Sequence, residues 1–242
     1  ANVAVAQYSS SAEAPSLYRV HDKTHQEVMK KEKKYLWNFG GKQRISGGKL
    51  QKKLTKALEF FSGKPEAQIL NILTLRSMAQ AKYDSNNIGH FGLGFEHYTH
   101  FTSPIRRYPD LMVHRVLKAL AHPNKGYYLM GQDEVQTAGN MLSACEQRSV
   151  KAERQFISIK KARFMNQFIG QEFDGVISGV AKFGVFVLLR NYDIDGLVKL
   201  EKIGKDLVFD EENLTLRGRK SGQKVSIGDS IRVKVVSTNV EM

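Results

Sequence analysis

The hydrophobic period of this chain changes once, near Gly170, and that change excludes a single uniform architecture. Before it, apolar residues recur at helical spacing. After it, FDGVISGV, GVFVLLRN, DGLVKLEKI and DSIRVKVVS alternate apolar and polar residues between glycines and polar turns. An α+β fold follows, with a helix-rich part over residues 1–168 and an all-β part over residues 169–242. Spacing predicts helices over 49–61, 65–81, 104–121 and 133–167, and the end of a helix over 1–7 followed by the polar loop SSSAEAPS. Residues 25–39 read as a solvated helix with Val28, Leu36 and Phe39 on one buried stripe. Its lysines, Lys30, Lys31, Lys33 and Lys34, form a wet face, with RNA contact as the alternative. GGKQRISGG lacks phosphate-loop spacing and follows no evident strand, so it reads as a connection.

The densest stretch is HFGLGFEHYTHFTSPIRRYPDLMVHR, residues 90–115, where aromatic, hydroxyl and guanidinium groups crowd before an amphipathic segment. Ser103 is a suitable N-cap and Pro104 suits the first helical position, so a helix is expected from the serine onward. Ile105, Leu111, Met112, Val116 and Leu120 fit one apolar face. Arg106 and Arg107 then fall in the first turn, where cations oppose the helix dipole. Two readings stay open: the arginines clamp a phosphate in front of the helix, or one is a buried arginine paired with a carboxylate. His90, His97 and His100 invite a metal reading, but no third ligand of matching spacing accompanies His97 and His100, and no metal ligand is assigned.

Charge narrows the partners. The chain carries 37 Lys+Arg against 24 Asp+Glu, a formal net charge of +13, which favours polyanions through counterion release and steering. One cysteine, Cys145, excludes an intramolecular disulfide and suits a reducing cytoplasm. No apolar run approaches the roughly 20 residues needed to cross a bilayer, so a cytoplasmic protein without a membrane partner is expected. In the all-β part, Phe183 and Phe186 flank Gly184, where a bulge or bend can expose rings for base stacking. Alternation also allows one of them to be core. Lys182, Arg190 and Lys199 can follow phosphates nearby, and LRGRKSG, with Arg217, Arg219 and Lys220, is a second basic strip.

The string THFTSPIRRYPDLMVHR, preceded by NIGHFGLGFE, closely resembles a late signature of the RNase II/RNase R family of processive 3′→5′ exoribonucleases, and RRYPDL favours the RNase R branch. The resemblance extends through APSLYRVH, LTLRSMAQAKYDSNNIGHFGL and SACEQRSVKAERQFISIKKARFM. It implies the second half of an RNB-type catalytic domain. The strands after Gly170 resemble an S-one-type RNA-binding OB barrel, through FGVFV, DGLV and IGD. A five-stranded barrel needs one strand beyond STNVE, so two alternatives stay open: the barrel lacks its last strand, or something else supplies it.

The resemblance implies roles for particular residues. Arg106 matches an arginine that contacts the scissile phosphate, a task suited to a permanently charged bidentate fork. Glu153, in KAERQF, matches a glutamate that touches the 3′-terminal nucleotide, with Glu146 as the competing register. Ser103, Arg107 and Tyr108 would position substrate, and Lys182, Phe183, Phe186 and Arg190 would hold single-stranded RNA. The family holds its divalent ions, Mg²⁺ in the intact enzyme, with aspartates upstream of these motifs. No such cluster stands here, since Asp84, Asp110 and Asp133 lack ligand spacing. The expectation is a fragment whose metal ligands lie in a missing N-terminal part of the same protein. Two classes remain: part of a hydrolytic exoribonuclease that yields nucleoside 5′-monophosphates, or an RNA-binding module without chemistry of its own.

Overall fold

The structure, a computed structural model, describes residues 1–22, 78–204, 206–211 and 214–239, with scattered positions between 55 and 75. The predicted helix over 25–39, its lysine run and the glycine-rich connection lie outside the described residues, as do large parts of the segments 49–61 and 65–81. Two units are distinguished, Ala1–Lys151 and Ala152–Met242. Among the described residues no helix is long and apolar enough to cross a membrane.

The first unit opens with helix α1, Asn2–Ser11. It runs past the expected end at Gln7 because Ser9 packs inward, and the chain closes at Ala12, whose N–H donates to Tyr8 O. Strand β1 (Tyr18–Val20) pairs antiparallel with β2 (Lys82–Asp84), placing Arg19 opposite Tyr83. Helices α2 (Tyr108–Ala121) and α3 (Gln132–Asn166) follow. Leu17, Tyr83, Met112, Val113 and Val135 form the core, where each fully buried aliphatic side chain stabilises the fold by roughly 1.5–3 kcal/mol. α3 reaches β2 closely at Gly139, where a Cβ would lie 3.1 Å from Tyr83 O. One turn on, Ser143 Oγ accepts from Tyr83 N–H at 2.9 Å and donates to Gly139 O at 2.7 Å.

The start of α2 corrects the sequence expectation. The helix begins at Tyr108, not after Ser103, and Arg107 is its N-cap in an extended conformation, φ −125° and ψ 112°. Pro109 explains the shift: inside a helix begun at Pro104 it would forfeit a hydrogen bond and clash with the carbonyl of Ile105, whereas at the first turn it costs nothing. Arg106 and Arg107 therefore precede the helix. Ile105, expected on its apolar face, is fully exposed, whereas Met112, Val113 and Val116 are buried.

In the second unit, β3 (Glu172–Ala181), β4 (Gly184–Leu189), β5 (Ile194–Lys199) and β9 (Ser230–Lys234) form an antiparallel sheet in the order β5-β4-β3-β9. A short helix α4 (Leu200–Ile203) leads to a second sheet, β6-β7-β8, built from Leu207–Asp210, Thr215–Gly218 and Lys224–Ser226. The strand expected over DSIRVKVVS is β9. Of the basic strip LRGRKSG, Leu216, Arg217 and Gly218 belong to β7, and the rest forms the turn to β8. Both sheets contribute to one core, with Ile177, Val185 and Val187 from the first and Leu207, Leu216 and Val225 from the second. The helices-then-strands α+β order stands, yet among the described residues the sheets are open and no barrel closes. Between β5 and β9 the chain spends its residues on a separate sheet, leaving both as edges.

Candidate RNA-contacting site

Segment 98–107 is laid along β1 by two bonds: Arg19 N–H donates to Tyr98 O at 2.9 Å and Thr99 Oγ1 donates to Leu17 O at 2.6 Å. His114, on α2, stacks on Phe101 with ring centroids 4.2 Å apart, and its Nε2 donates to Phe101 O at 3.0 Å. The chain then turns. Ser103 O accepts from the N–H groups of Arg106 and Arg107 at 3.3 and 3.0 Å. Asp110, wholly buried, closes this turn from the helix side, its Oδ1 accepting from Ser103 N–H and from Arg107 Nη2, each at 2.8 Å.

The two adjacent arginines thus part company. Arg107 takes the buried-pair reading. Arg106 is exposed and makes no ion pair or hydrogen bond from its side chain among the described residues. Tyr108 is half exposed and its hydroxyl accepts from Arg115 Nη1 at 3.3 Å.

Beneath this turn lies a polar column that is mostly out of water. The Arg19 guanidinium sits 4.6 Å from the centroid of the Tyr83 ring and pairs with Glu146 Oε2 at 2.6 Å. Burial pushes the Tyr83 phenol up to about 12, so it keeps its proton. It donates to His100 Nδ1 at 2.9 Å, which a neutral imidazole leaves free to accept. Burial first, then the Arg107 and Arg19 charges, lower His100 to about 4. Burial, His21 and Arg19 lower His90 to about 4 as well. His97 Nδ1 accepts from the Asn87 amide at 2.8 Å. Among the described residues no three or more His, Cys, Asp or Glu come together as a metal cage. The residues present do not fit the divalent ions that the resemblance implies, and no step is derived through them.

In the second unit, Lys182 and Phe183 form the turn between β3 and β4, and Phe186 lies on β4 opposite Leu197. Gly184 makes the turn possible: its φ is +153° and a Cβ there would stand 2.1 Å from Val198 O. Phe183 and Phe186 are 59% and 37% exposed, with centroids 6.1 Å apart and rings at 87°. Neither ring is core, because Val185 and Val187 take the inward positions. The bulge lies across the ladder, at Ser178 on β3, rather than beside Gly184. Lys182 and Arg190 are exposed, and Arg190 Nη2 donates to Ser230 Oγ at 3.1 Å. In the basic strip, Arg217 pairs with Asp210 at 3.5 Å.

The RNB domain family pattern matches residues 1–123, and the S1 RNA binding domain pattern matches residues 166–241. The chain belongs to the RNB-domain family. Ribonuclease R of Aquifex aeolicus is 41% identical over 242 residues, which is 100% of this chain and 34% of that protein. The chain spans about a third of the length of such relatives. Among solved structures, Mycoplasma genitalium RNase R matches in its apo form with a TM-score of 0.87 and in complex with ribose methylated single-stranded RNA with 0.86. Both are 28% identical and cover 99% of this chain and 38% of that one. Yeast Ssd1, a pseudonuclease, shares the fold at a TM-score of 0.69 and 23% identity, covering 89% of this chain and 27% of its own.

Of the residues singled out from the sequence, the RNB unit brings Ser103, Arg106, Arg107 and Tyr108 into one turn. Glu146 joins Arg19 and Tyr83 in that unit, whereas Glu153 is exposed on α3 within the second unit, upstream of the S1 match, and that unit also carries Lys182, Phe183, Phe186 and Arg190. Sequence reasoning weighed Asp110 and His100 only as metal ligands, and it missed Arg19 and Tyr83. Asp110 had a signal, an acid directly after Pro109 at a helix start. Arg19 and Glu146 meet across 127 residues, with no local signal at all.

Proposed function

We propose that this chain is the phosphate-contacting and strand-holding portion of a 3′→5′ exoribonuclease that degrades single-stranded RNA processively to nucleoside 5′-monophosphates. The observation that carries this reading is Arg106, an exposed guanidinium without an ion pair among the described residues, on a turn anchored at Ser103 and Arg107. Such a fork, held ready before substrate arrives, stabilises negative charge developing on a phosphate without reorganising when it does. Ser103, Arg107 and Tyr108 set its position. Glu146 is already committed to Arg19, which favours Glu153 as the carboxylate that accepts from ribose hydroxyls. Phe183 and Phe186 stack on bases while Lys182 and Arg190 follow phosphates. In this reading residues 1–168 hold the phosphate and ribose contacts and residues 169–242 hold the strand, although compact packing divides the chain after Lys151.

A second reading, an RNA-binding module without chemistry, is favoured by the lack of a carboxylate cluster among the described residues. Incubation with labelled single-stranded RNA and Mg²⁺ separates the two. The chain alone is expected to bind RNA without releasing mononucleotides, and the full-length polypeptide to release them from the 3′ end. A full-length protein that binds RNA and leaves it intact would establish the second reading.

A further inference from the structure

We propose that Asp110 is a positioning residue for the RNA phosphate contact: its buried carboxylate locks the 103–107 turn and ties down Arg107, while Arg106 pairs with no described residue. The inference rests on the assignment of Arg106 under the proposed function, and goes beyond it in naming the group through which Arg106 is held.

One oxygen does two jobs. Asp110 Oδ1 takes both the Ser103 N–H and the Arg107 guanidinium, while Ser103 O takes the N–H groups of Arg106 and Arg107. Arg106 is thereby bracketed between two anchored neighbours. A pair built for stability would be bidentate and fully satisfied. This one is neither, because Asp110 Oδ2 and Arg107 Nε are both buried without a partner among the described residues. Burying a carboxylate and a guanidinium costs several kcal/mol of desolvation, which a single contact does not reliably offset. The arrangement adds little stability and fixes much geometry. Arg107 is the extended N-cap of α2 and Asp110 lies buried in its first turn beside Pro109, so the 103–107 turn is tied to the helix start. Placement matters for a charge-stabilising group, since an error of about 1 Å can cost on the order of 100-fold in rate.

The test is a double-mutant cycle in the full-length protein, using Arg106→Ala, Asp110→Asn and both together. Asparagine still accepts from Ser103 N–H but gives up the charge that holds Arg107. Asp110→Asn alone is expected to lower turnover at saturating RNA about 10–100-fold with little change in RNA affinity. In the Arg106→Ala background it should lower turnover no further, because the group it acts through is gone. Equal losses in both backgrounds would show a merely structural role and overturn the proposal. If Arg106→Ala itself leaves turnover unchanged, the assignment of Arg106 fails, and this inference fails with it by a different result. Should circular dichroism show Asp110→Asn unfolded, Arg107→Lys replaces it in the same cycle, leaving the Asp110–Ser103 bond in place, and additivity there overturns the proposal equally.

Discussion

In the RNB unit, charged groups are drawn out of water and tied together: Asp110 is fully buried beside Arg107, and the Arg19 side chain is 13% exposed beside Glu146. In the S1 unit, the ion pairs Lys161–Asp193, Arg217–Asp210 and Arg232–Glu172 sit in solvent, and it is aromatic rings that stand ready on the surface. Surface pairs contribute roughly 0–1 kcal/mol, so they constrain little. Rings such as Phe183 and Phe186 tolerate loose geometry because every base offers a π-face. Under the proposed function, the difference suits two tasks on an RNA strand. A charge that stabilises a reacting phosphate must be placed accurately, whereas a grip that lets the strand advance must be forgiving.

Exchanging charge for geometry at the first unit should give the largest effect. Arg106→Lys keeps the cation and loses the planar fork, so turnover in the full-length protein is expected to fall about 100-fold or more while RNA affinity barely moves. Steady-state rates beside equilibrium binding check this. At the second unit the reverse holds: Phe183→Ala with Phe186→Ala should weaken single-stranded RNA binding by about 1–3 kcal/mol for each ring that meets a base, read by fluorescence titration. Because both rings are exposed, the unfolding midpoint should stay nearly unchanged.

Arg19→Met sharpens the contrast in stability. It removes the partner of Glu146 and the cation over Tyr83, and should cost about 1–2 kcal/mol in urea unfolding, less than a fully buried pair because Glu146 is 34% exposed. The half-buried His90 and His100 give the same unit a pH dependence. Their folded pKa values of about 4 lie below the ordinary 6.5, so the unfolded chain binds protons first as pH falls. Their contribution is complete above about pH 6.5 and is lost progressively down to about 4. Thermal unfolding at pH 7 and pH 5 should show this loss, and His100→Gln should flatten it. The smallest effect belongs to Lys182→Ala with Arg190→Ala, which should reduce the salt slope of RNA binding by about 0.7 for each phosphate contact removed.

How much of this was legible beforehand follows the range of the interactions. The period change near Gly170 foretold helices then strands, and α3 begins within one residue of its expected start. Those features depend on local spacing. The start of α2 differs from the expectation because Ser103-Pro104 and Arg107-Tyr108-Pro109 are both plausible helix openings; Pro109 disfavours the first, and Asp110 reaching back to Ser103 fixes the second. The second sheet went unseen because β6, β7 and β8 are three or four residues long, too short to show alternation. At the site, the adjacent arginines were visible, but which one pairs and which stays free is a matter of burial. The Arg19–Tyr83–Glu146 column joins segments that only the fold brings together.

The division of labour itself is tested most directly by single-turnover rates at saturating single-stranded RNA, measured in the full-length protein for Arg106→Lys and for the Phe183→Ala, Phe186→Ala double variant. The account predicts that the arginine variant stays slow however much RNA is supplied, while the phenylalanine variant recovers the parent rate once its weaker binding is saturated. A phenylalanine variant that remains slow at saturation, or an arginine variant that recovers, would contradict it.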